Sequence, residues 1–146
     1  MNNLKILILL LLVSCATNPK FRQNELRSLT QEFRDKYESK FNKPMRNISV
    51  QIQNYGGRSL GYYHRIFDHI KINSKFWVTA DYYDKKLVLF HELAHGILRR
   101  KHQNNTYYAD GCPESMMKWN FKKACYIRYY DYYNNELFEK SGEFKP

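Results

Sequence analysis

The stretch that decides the fold reads Leu87-Val88-Leu89-Phe90-His91-Glu92-Leu93-Ala94-His95-Gly96-Ile97-Leu98, in the second half of a 146-residue chain. A helix built from this sequence is apolar on all sides, and Asp81 upstream is a suitable N-cap. Such a helix must be buried. It nevertheless carries two histidines and a glutamate, and uncompensated polar groups inside a protein are strongly destabilising. The stretch therefore predicts a buried helix that carries a polar site.

His91 and His95 are four residues apart, a spacing that places two imidazoles on one face of a helix and lets both bind one zinc ion. Zinc acidifies its bound water and polarises a carbonyl group, and a neighbouring carboxylate can take the water's proton. The sequence therefore predicts a Zn²⁺ site with His91 and His95 as ligands and Glu92 as the general base. Catalytic zinc needs a third protein ligand and an open position.

The stretch from Leu87 to Trp119 resembles the HExxH zinc metallopeptidases, or zincins. It is most similar to metzincin-like bacterial metallopeptidase lipoproteins, whose pattern has a later histidine and a Ser-x-Met element, here Ser115-Met116-Met117. The resemblance implies a zincin-like domain that hydrolyses peptide bonds. It also implies that Met117, or alternatively Met116, packs beneath the metal, and that a tyrosine such as Tyr126 or Tyr129 stabilises an oxyanion.

The third ligand departs from the metzincin pattern. That pattern has a glycine three residues after the second histidine and the third ligand three residues later, and these positions are Leu98 and Lys101 here. His102, one residue further on, is the nearest candidate. On a continuous helix its ring would lie about 10 Å beyond the pair, so we predict that the helix ends between residues 96 and 100 and that the chain folds back. The competing candidates are the carboxylates Asp110, Glu114 and Glu136.

The first residues predict export. Residues 1–14 have a short basic start and an apolar run that is too short to span a bilayer, as in a secretory signal peptide. The sequence around Cys15 resembles the lipobox of bacterial lipoproteins, which implies that Cys15 is lipidated and that the protein lies at the outer membrane, facing the periplasm, or at the cell surface. An ordinary cleaved signal peptide is the alternative. Residues 15–22 are predicted to form a tether, and residues 23–146 a single domain.

Cys112 and Cys125 are the two other cysteines. In an exported protein the surroundings are oxidising, which favours a disulfide between them, with two free buried thiols as the alternative. In the chain-entropy model a disulfide across so short a loop contributes roughly 3 kcal/mol.

The flanking sequence predicts an α+β fold with a short mixed or antiparallel sheet and a C-terminal helix. Apolar residues recur at helical spacing from Leu26 to Phe41. Residues 48–52 and then 60–72 alternate as two strand segments that pair as neighbours, with Gly61 as a candidate bulge. The odd separation of His64 and His69 predicts opposite faces of one strand, so neither is expected to bind metal. Residues 119–138 are expected to be helical.

The formal net charge of +10 favours acidic partners or envelope polymer. The lysines and arginines form no block typical of a nucleic-acid site, so we expect no nucleic-acid partner. The leading hypothesis is a peptidase acting on a peptide or protein, with residues 66–72 as an edge strand that pairs with substrate. The alternatives are the same chemistry on peptidoglycan cross-links, and a non-catalytic envelope-binding lipoprotein. We expect a monomer.

Overall fold

Five helices and one three-stranded sheet form the part of the protein that the computed structural model describes, residues 18–103 and 107–139. The elements are α1 (Pro19–Phe41), β1 (Ser49–Gln53), β2 (Gly61–His64), β3 (His69–Asn73), α2 (Ser74–Thr79), α3 (Tyr82–Gly96), α4 (Lys123–Arg128) and α5 (Tyr130–Glu139). The predicted α+β class and mixed sheet are confirmed. The predicted leader, residues 1–14, and Cys15 lie outside the described residues.

Helix α1 begins inside the range predicted as a tether. Asn18 is its N-cap and accepts a hydrogen bond from the Lys20 amide, while Pro19 occupies the first turn, where its missing N–H costs nothing. Residues 19–22 are therefore helical rather than part of a tether. The helix ends at Phe41 as predicted, because Asn42 takes a left-handed conformation with φ of 50°.

The sheet has the strand order β1-β3-β2, with β1 parallel and β2 antiparallel to β3. Strand β3 is central, so both of its sides are already paired with neighbouring strands. The prediction that residues 66–72 form an edge strand is therefore wrong, and the edges are β1 and β2. Ile70 and Ile72 of β3 are fully buried and face the core.

Residues 60–72 form two strands rather than one, because the chain reverses at residues 65–68. Asp68 takes a left-handed φ of 49°, and its carboxylate accepts hydrogen bonds from Arg46 and from the Tyr63 hydroxyl. The reversal pairs His64 directly with His69, and their rings stack with centroids 5.3 Å apart. The prediction that these histidines lie on opposite faces is wrong, since it assumed a continuous strand.

Gly61 pairs in register with Ile72, so the bulge predicted there is not formed. Its lack of a side chain has another cause, because helix α3 packs closely over this point of β2. A Cβ atom at Gly61 would lie 2.9 Å from Ile72 Cδ1 and 3.2 Å from Glu92 Cγ. The glycine thus lets the sheet approach the helix that carries the predicted site.

Helix α3 is the central element of the core, as its apolar sequence predicts. It packs on α1 on one side and on the sheet on the other, and Phe90 meets Phe33 of α1 edge to face at 5.2 Å. The C-terminal residues form two short helices, α4 and α5, instead of the one helix predicted, because the chain bends at Tyr129. Within the described ranges, no helix is both long and apolar enough to cross a membrane.

Candidate metal centre

Two of the predicted ligands lie one turn apart on α3 and point to the same place. The Nε2 atoms of His91 and His95 are 3.1 Å apart. Asp81 caps the helix by accepting a hydrogen bond from the Asp84 amide. Side chains of the same helix, such as Leu89, Phe90 and Leu93, are completely buried. The pair is therefore fixed on a helix that is held rigidly by the core.

The chain turns back immediately after α3 and brings His102 to the same point. The amides of Leu98 and Arg100 both donate to the Ala94 carbonyl, and Arg99 takes a left-handed φ of 57°. His102 Nε2 lies 3.0 Å from His91 Nε2 and 3.1 Å from His95 Nε2. The predicted end of the helix between residues 96 and 100 is confirmed.

Hydrogen bonds on the far side of the rings fix the two helical histidines. His91 Nδ1 lies 2.9 Å from the Met116 carbonyl, and His95 Nδ1 lies 2.7 Å from the Arg100 carbonyl. A carbonyl oxygen can only accept, so each Nδ1 must carry the proton and donate it. Both Nε2 atoms then present lone pairs to the centre of the cluster, as in metal-binding histidines.

Burial keeps these imidazoles neutral. It lowers the pKa of His91 to about 4, and it lowers the pKa values of His95 and His102 below the ordinary histidine value. His102 is the most exposed of the three, and its ring meets the exposed Trp119 edge to face at 5.0 Å. The cluster is therefore a set of three neutral nitrogen donors at neutral pH, with one side open to solvent.

Glu92 is buried beside the cluster, between α3 and strand β2. Burial raises the pKa of its carboxyl to about 7, although a hydrogen bond from the Tyr63 backbone acts in the opposite direction. Its Cγ atom is one of three side-chain atoms that Gly61 leaves room for, with Ile72 Cδ1 and Val88 Cγ1. Glu92 is thus a carboxyl group that can hold or release a proton near neutral pH.

The carboxylates considered as alternative third ligands have other partners. Asp110 accepts from Arg128 and Tyr129, and Glu136 is paired with Arg100. Within the described parts of the chain, the three histidines are the only group of three or more His, Cys, Asp or Glu side chains arranged to hold a metal ion, so Glu114 is not brought to the cluster.

The Ser-x-Met element passes beside the cluster. Met116 and Met117 are both fully buried, and the Met116 carbonyl is the acceptor for His91. The Met117 carbonyl accepts from the Gln103 amide, next to His102. This element therefore contacts the site through its backbone, a role that the resemblance did not imply.

The two tyrosines considered for an oxyanion role are engaged elsewhere. The buried Tyr126 hydroxyl donates to Asn134, and the Tyr129 hydroxyl donates to Asp110. Their hydroxyl groups are therefore not directed into the cluster.

Cys112 and Cys125 are joined by a disulfide, as predicted. This bond links the segment that precedes Ser115 to helix α4.

Sequence reasoning missed Arg100. Arg100 stands in a basic run, Arg99-Arg100-Lys101, which is typical of solvated surface, yet Arg100 points inward and is only 2% exposed. Its partner Glu136 lies 36 residues further along the chain, and no local signal joins the two.

No family model, curated protein or solved structure matches this chain.

Proposed function

We propose that this protein is a zinc-dependent peptidase in which His91, His95 and His102 hold the metal and Glu92 is the general base. The observation that carries the proposal is the convergence of three Nε2 atoms within 3.1 Å of one another. Two of these nitrogens are fixed as lone-pair acceptors by their Nδ1 hydrogen bonds, so they cannot satisfy each other. A metal cation bound between the nitrogens would accept these lone pairs.

The donor set fits zinc. Three imidazoles and an open fourth position make up a common catalytic zinc site, and Zn–N bonds of about 2.1 Å imply nitrogen separations of about 3.4 Å in a regular tetrahedron. The separations of 3.0 to 3.1 Å are within a few tenths of an ångström of that value. Carboxylate-preferring ions such as calcium and magnesium do not suit a site of nitrogen donors.

Zinc bound at this site would acidify a water molecule and polarise the carbonyl group of a peptide bond. Glu92 would take the proton from that water and then deliver it to the amine that leaves. A carboxyl group with a pKa of about 7 suits both steps, because it is neither always charged nor always protonated at neutral pH. The burial that raises this pKa also limits the access of bulk water to Glu92.

Strand β2, rather than β3, is the edge we propose for an extended substrate. The Asn73 amide donates to the Leu60 carbonyl, so these two residues form a hydrogen-bonded pair. In an antiparallel ladder such pairs alternate with pairs that are not hydrogen-bonded. The backbone groups of Gly61 and Tyr63 therefore point away from β3. The Tyr63 backbone already interacts with Glu92. A peptide aligned along β2 would therefore pass directly by the general base.

The test is Glu92→Gln, with zinc content and hydrolysis measured on the same preparation. We expect Glu92→Gln to retain one equivalent of zinc and to lose at least about 100-fold in activity on an unfolded protein substrate. Glu139→Gln, which changes a glutamate with an exposed side chain, is the matched control and should keep full activity. Full activity in Glu92→Gln, or zinc-loaded wild type that cleaves nothing, would contradict the proposal.

The charge of +10 supports peptidoglycan cross-links as a second substrate class for the same chemistry. Parallel digestions of an unfolded protein and of purified peptidoglycan separate the two substrates. A non-catalytic envelope lipoprotein would instead function equally well with and without bound metal.

We also propose the lipid anchor at Cys15. Metabolic labelling with a fatty acid, compared between wild type and Cys15→Ala, tests it.

A further inference from the structure

Two backbone carbonyls orient the helical histidines. The buried side chain of Arg100 connects the segments to which these carbonyls belong. The Arg100 side chain is fully buried and forms an ion pair with Glu136 of α5, with Nη2 2.5 Å from Oε1. Its other guanidinium nitrogen, Nη1, donates to the carbonyls of Glu136 and Leu137 at 3.1 and 3.2 Å. These carbonyls lie in the last described turn of α5.

Arg100 supports His95 directly through its own backbone. The Arg100 carbonyl is the acceptor for His95 Nδ1, and the Arg100 amide is tied to the end of α3 at Ala94. A shift of this backbone would strain the bonds of its buried guanidinium to Glu136 and the end of α5. The ion pair therefore restrains the segment whose carbonyl orients His95.

Arg100 supports His91 through Ser115. Arg100 Nη2 donates to Ser115 Oγ at 3.0 Å, and the same hydroxyl oxygen accepts from the Met117 amide at 3.1 Å. These two bonds hold the turn whose Met116 carbonyl accepts from His91 Nδ1. The turn also reaches His102, because the Met117 carbonyl accepts from the Gln103 amide at 3.0 Å.

We infer that the Arg100–Glu136 pair is the positioning unit of the metal centre, which makes the docking of α5 part of the metal site. The planar guanidinium donates to four acceptors at once, from Glu136, Leu137 and Ser115, which a lysine ammonium with three donors on a flexible stem does not reproduce. Residues that orient metal ligands in this way typically change metal affinity about 10- to 100-fold when replaced. The inference rests on the metal-binding half of the proposed function and not on its peptidase half.

The protein offers a matched control for a purely structural role. Lys86 of α3 is another buried cation, with a side-chain exposure of 1%, and its ammonium group is bonded to Glu32 of α1 and to the Tyr130 hydroxyl of α5. Lys86 thus joins α3 to the same C-terminal helix. None of its bonds involves a carbonyl that orients a histidine.

The test compares zinc affinity and the absorption spectrum of the cobalt-substituted protein in Arg100→Lys, Ser115→Ala and Lys86→Met, each at a temperature at which the variant is fully folded. We expect Arg100→Lys to bind zinc about 10- to 100-fold more weakly and to shift the cobalt ligand-field bands. Ser115→Ala, which removes one hydroxyl group and leaves the ion pair intact, should shift affinity and spectrum in the same direction by less. Lys86→Met should lose stability but keep zinc affinity within about twofold, because the outer partners of the ligands are unchanged.

Wild-type affinity and an unchanged cobalt spectrum in both Arg100→Lys and Ser115→Ala would overturn the inference. An equal loss of affinity in Lys86→Met would also overturn it, because the effect would then follow stability alone. Failure of the proposed function is separate: a wild-type protein that binds zinc but cleaves nothing ends the peptidase proposal and leaves this inference standing. A wild-type protein that binds neither zinc nor cobalt ends both.

Discussion

Gly61 of β2 lies directly against Glu92 of α3, so closely that a Cβ atom at the glycine would be 3.2 Å from Glu92 Cγ. The same Cβ atom would meet Ile72 Cδ1 at 2.9 Å and Val88 Cγ1 at 3.1 Å. The conformation of the proposed general base is thus coupled to the spacing between helix and sheet. This contact gives the first prediction.

Gly61→Ala should lower the free energy of unfolding by about 1 to 3 kcal/mol, because it adds a methyl group to a filled interface. It should also reduce hydrolysis while leaving zinc content unchanged, since the side chains it would push against include Glu92, together with Ile72 and Val88, and none of them is a ligand. Urea unfolding, zinc analysis and a peptide assay measure the three effects. Gly56→Ala, where a Cβ atom would meet nothing within 4 Å, is the control. Full activity together with wild-type stability in Gly61→Ala would refute the coupling.

The turn after α3 gives a prediction at Arg99, whose φ is 57°. A left-handed conformation costs a residue other than glycine roughly 1 to 2 kcal/mol, and a β-branched side chain tolerates it least. Arg99→Gly should therefore bind zinc as wild type does, even though it loses the bond to the Tyr63 hydroxyl. Arg99→Val should be less stable and should bind zinc more weakly, because the return of the chain to His102 is strained. Equal zinc affinity in the two variants would show that this turn does not position His102.

The disulfide gives a third prediction. The Cys112–Cys125 bond closes a short loop, so replacing both cysteines by serine should lower the free energy of unfolding by about 3 kcal/mol. Zinc affinity should fall as well, because Ser115 and Met116 follow Cys112 closely and orient His91 through the Met116 carbonyl. Denaturant unfolding and equilibrium dialysis with zinc measure both effects. Wild-type unfolding and zinc affinity in the double variant would contradict this role.

Zinc affinity should depend on pH in one direction. Only neutral imidazole binds the metal, and burial holds the pKa of His91 near 4 and those of His95 and His102 below the ordinary value. The metal-free protein takes up protons as the pH falls, whereas the bound form does not. Affinity should therefore be nearly constant from pH 8 to about 6.5, the ordinary histidine pKa, and fall at lower pH. Equilibrium dialysis measures this profile, and affinity that rises toward acid pH would contradict a histidine site.

The parts of the site that could be predicted are those with local causes. His91 and His95 follow from the helical period, and the end of the helix follows from the need to bring His102 back to them. The left-handed Arg99 lies three residues before His102, the same spacing that separates the glycine from the third ligand in the metzincin pattern. Both the turn and the ligand thus stand one residue later than in that pattern, and the spacing between them is the same.

The parts that could not be predicted depend on distant contacts. The turn at residues 65–68 contains neither glycine nor proline, and Asp68 adopts its left-handed conformation with its carboxylate bound by Arg46 and Tyr63. The strand-like alternation of side chains therefore runs unbroken through the reversal. For this reason the sequence does not reveal the hairpin or the pairing of His64 with His69. The burial of Arg100 was hidden in the same way, since its acceptors come from residues 115, 136 and 137.

The most direct test is X-ray absorption spectroscopy at the zinc edge, together with zinc analysis of wild type, His102→Ala and the control His64→Ala. We expect one zinc per chain in wild type and in His64→Ala, bound by three imidazole nitrogens at about 2.1 Å. His102→Ala should bind zinc more weakly and, when loaded, show only two imidazoles. Wild type without zinc, or an unchanged three-imidazole spectrum in His102→Ala, would contradict the proposed metal site.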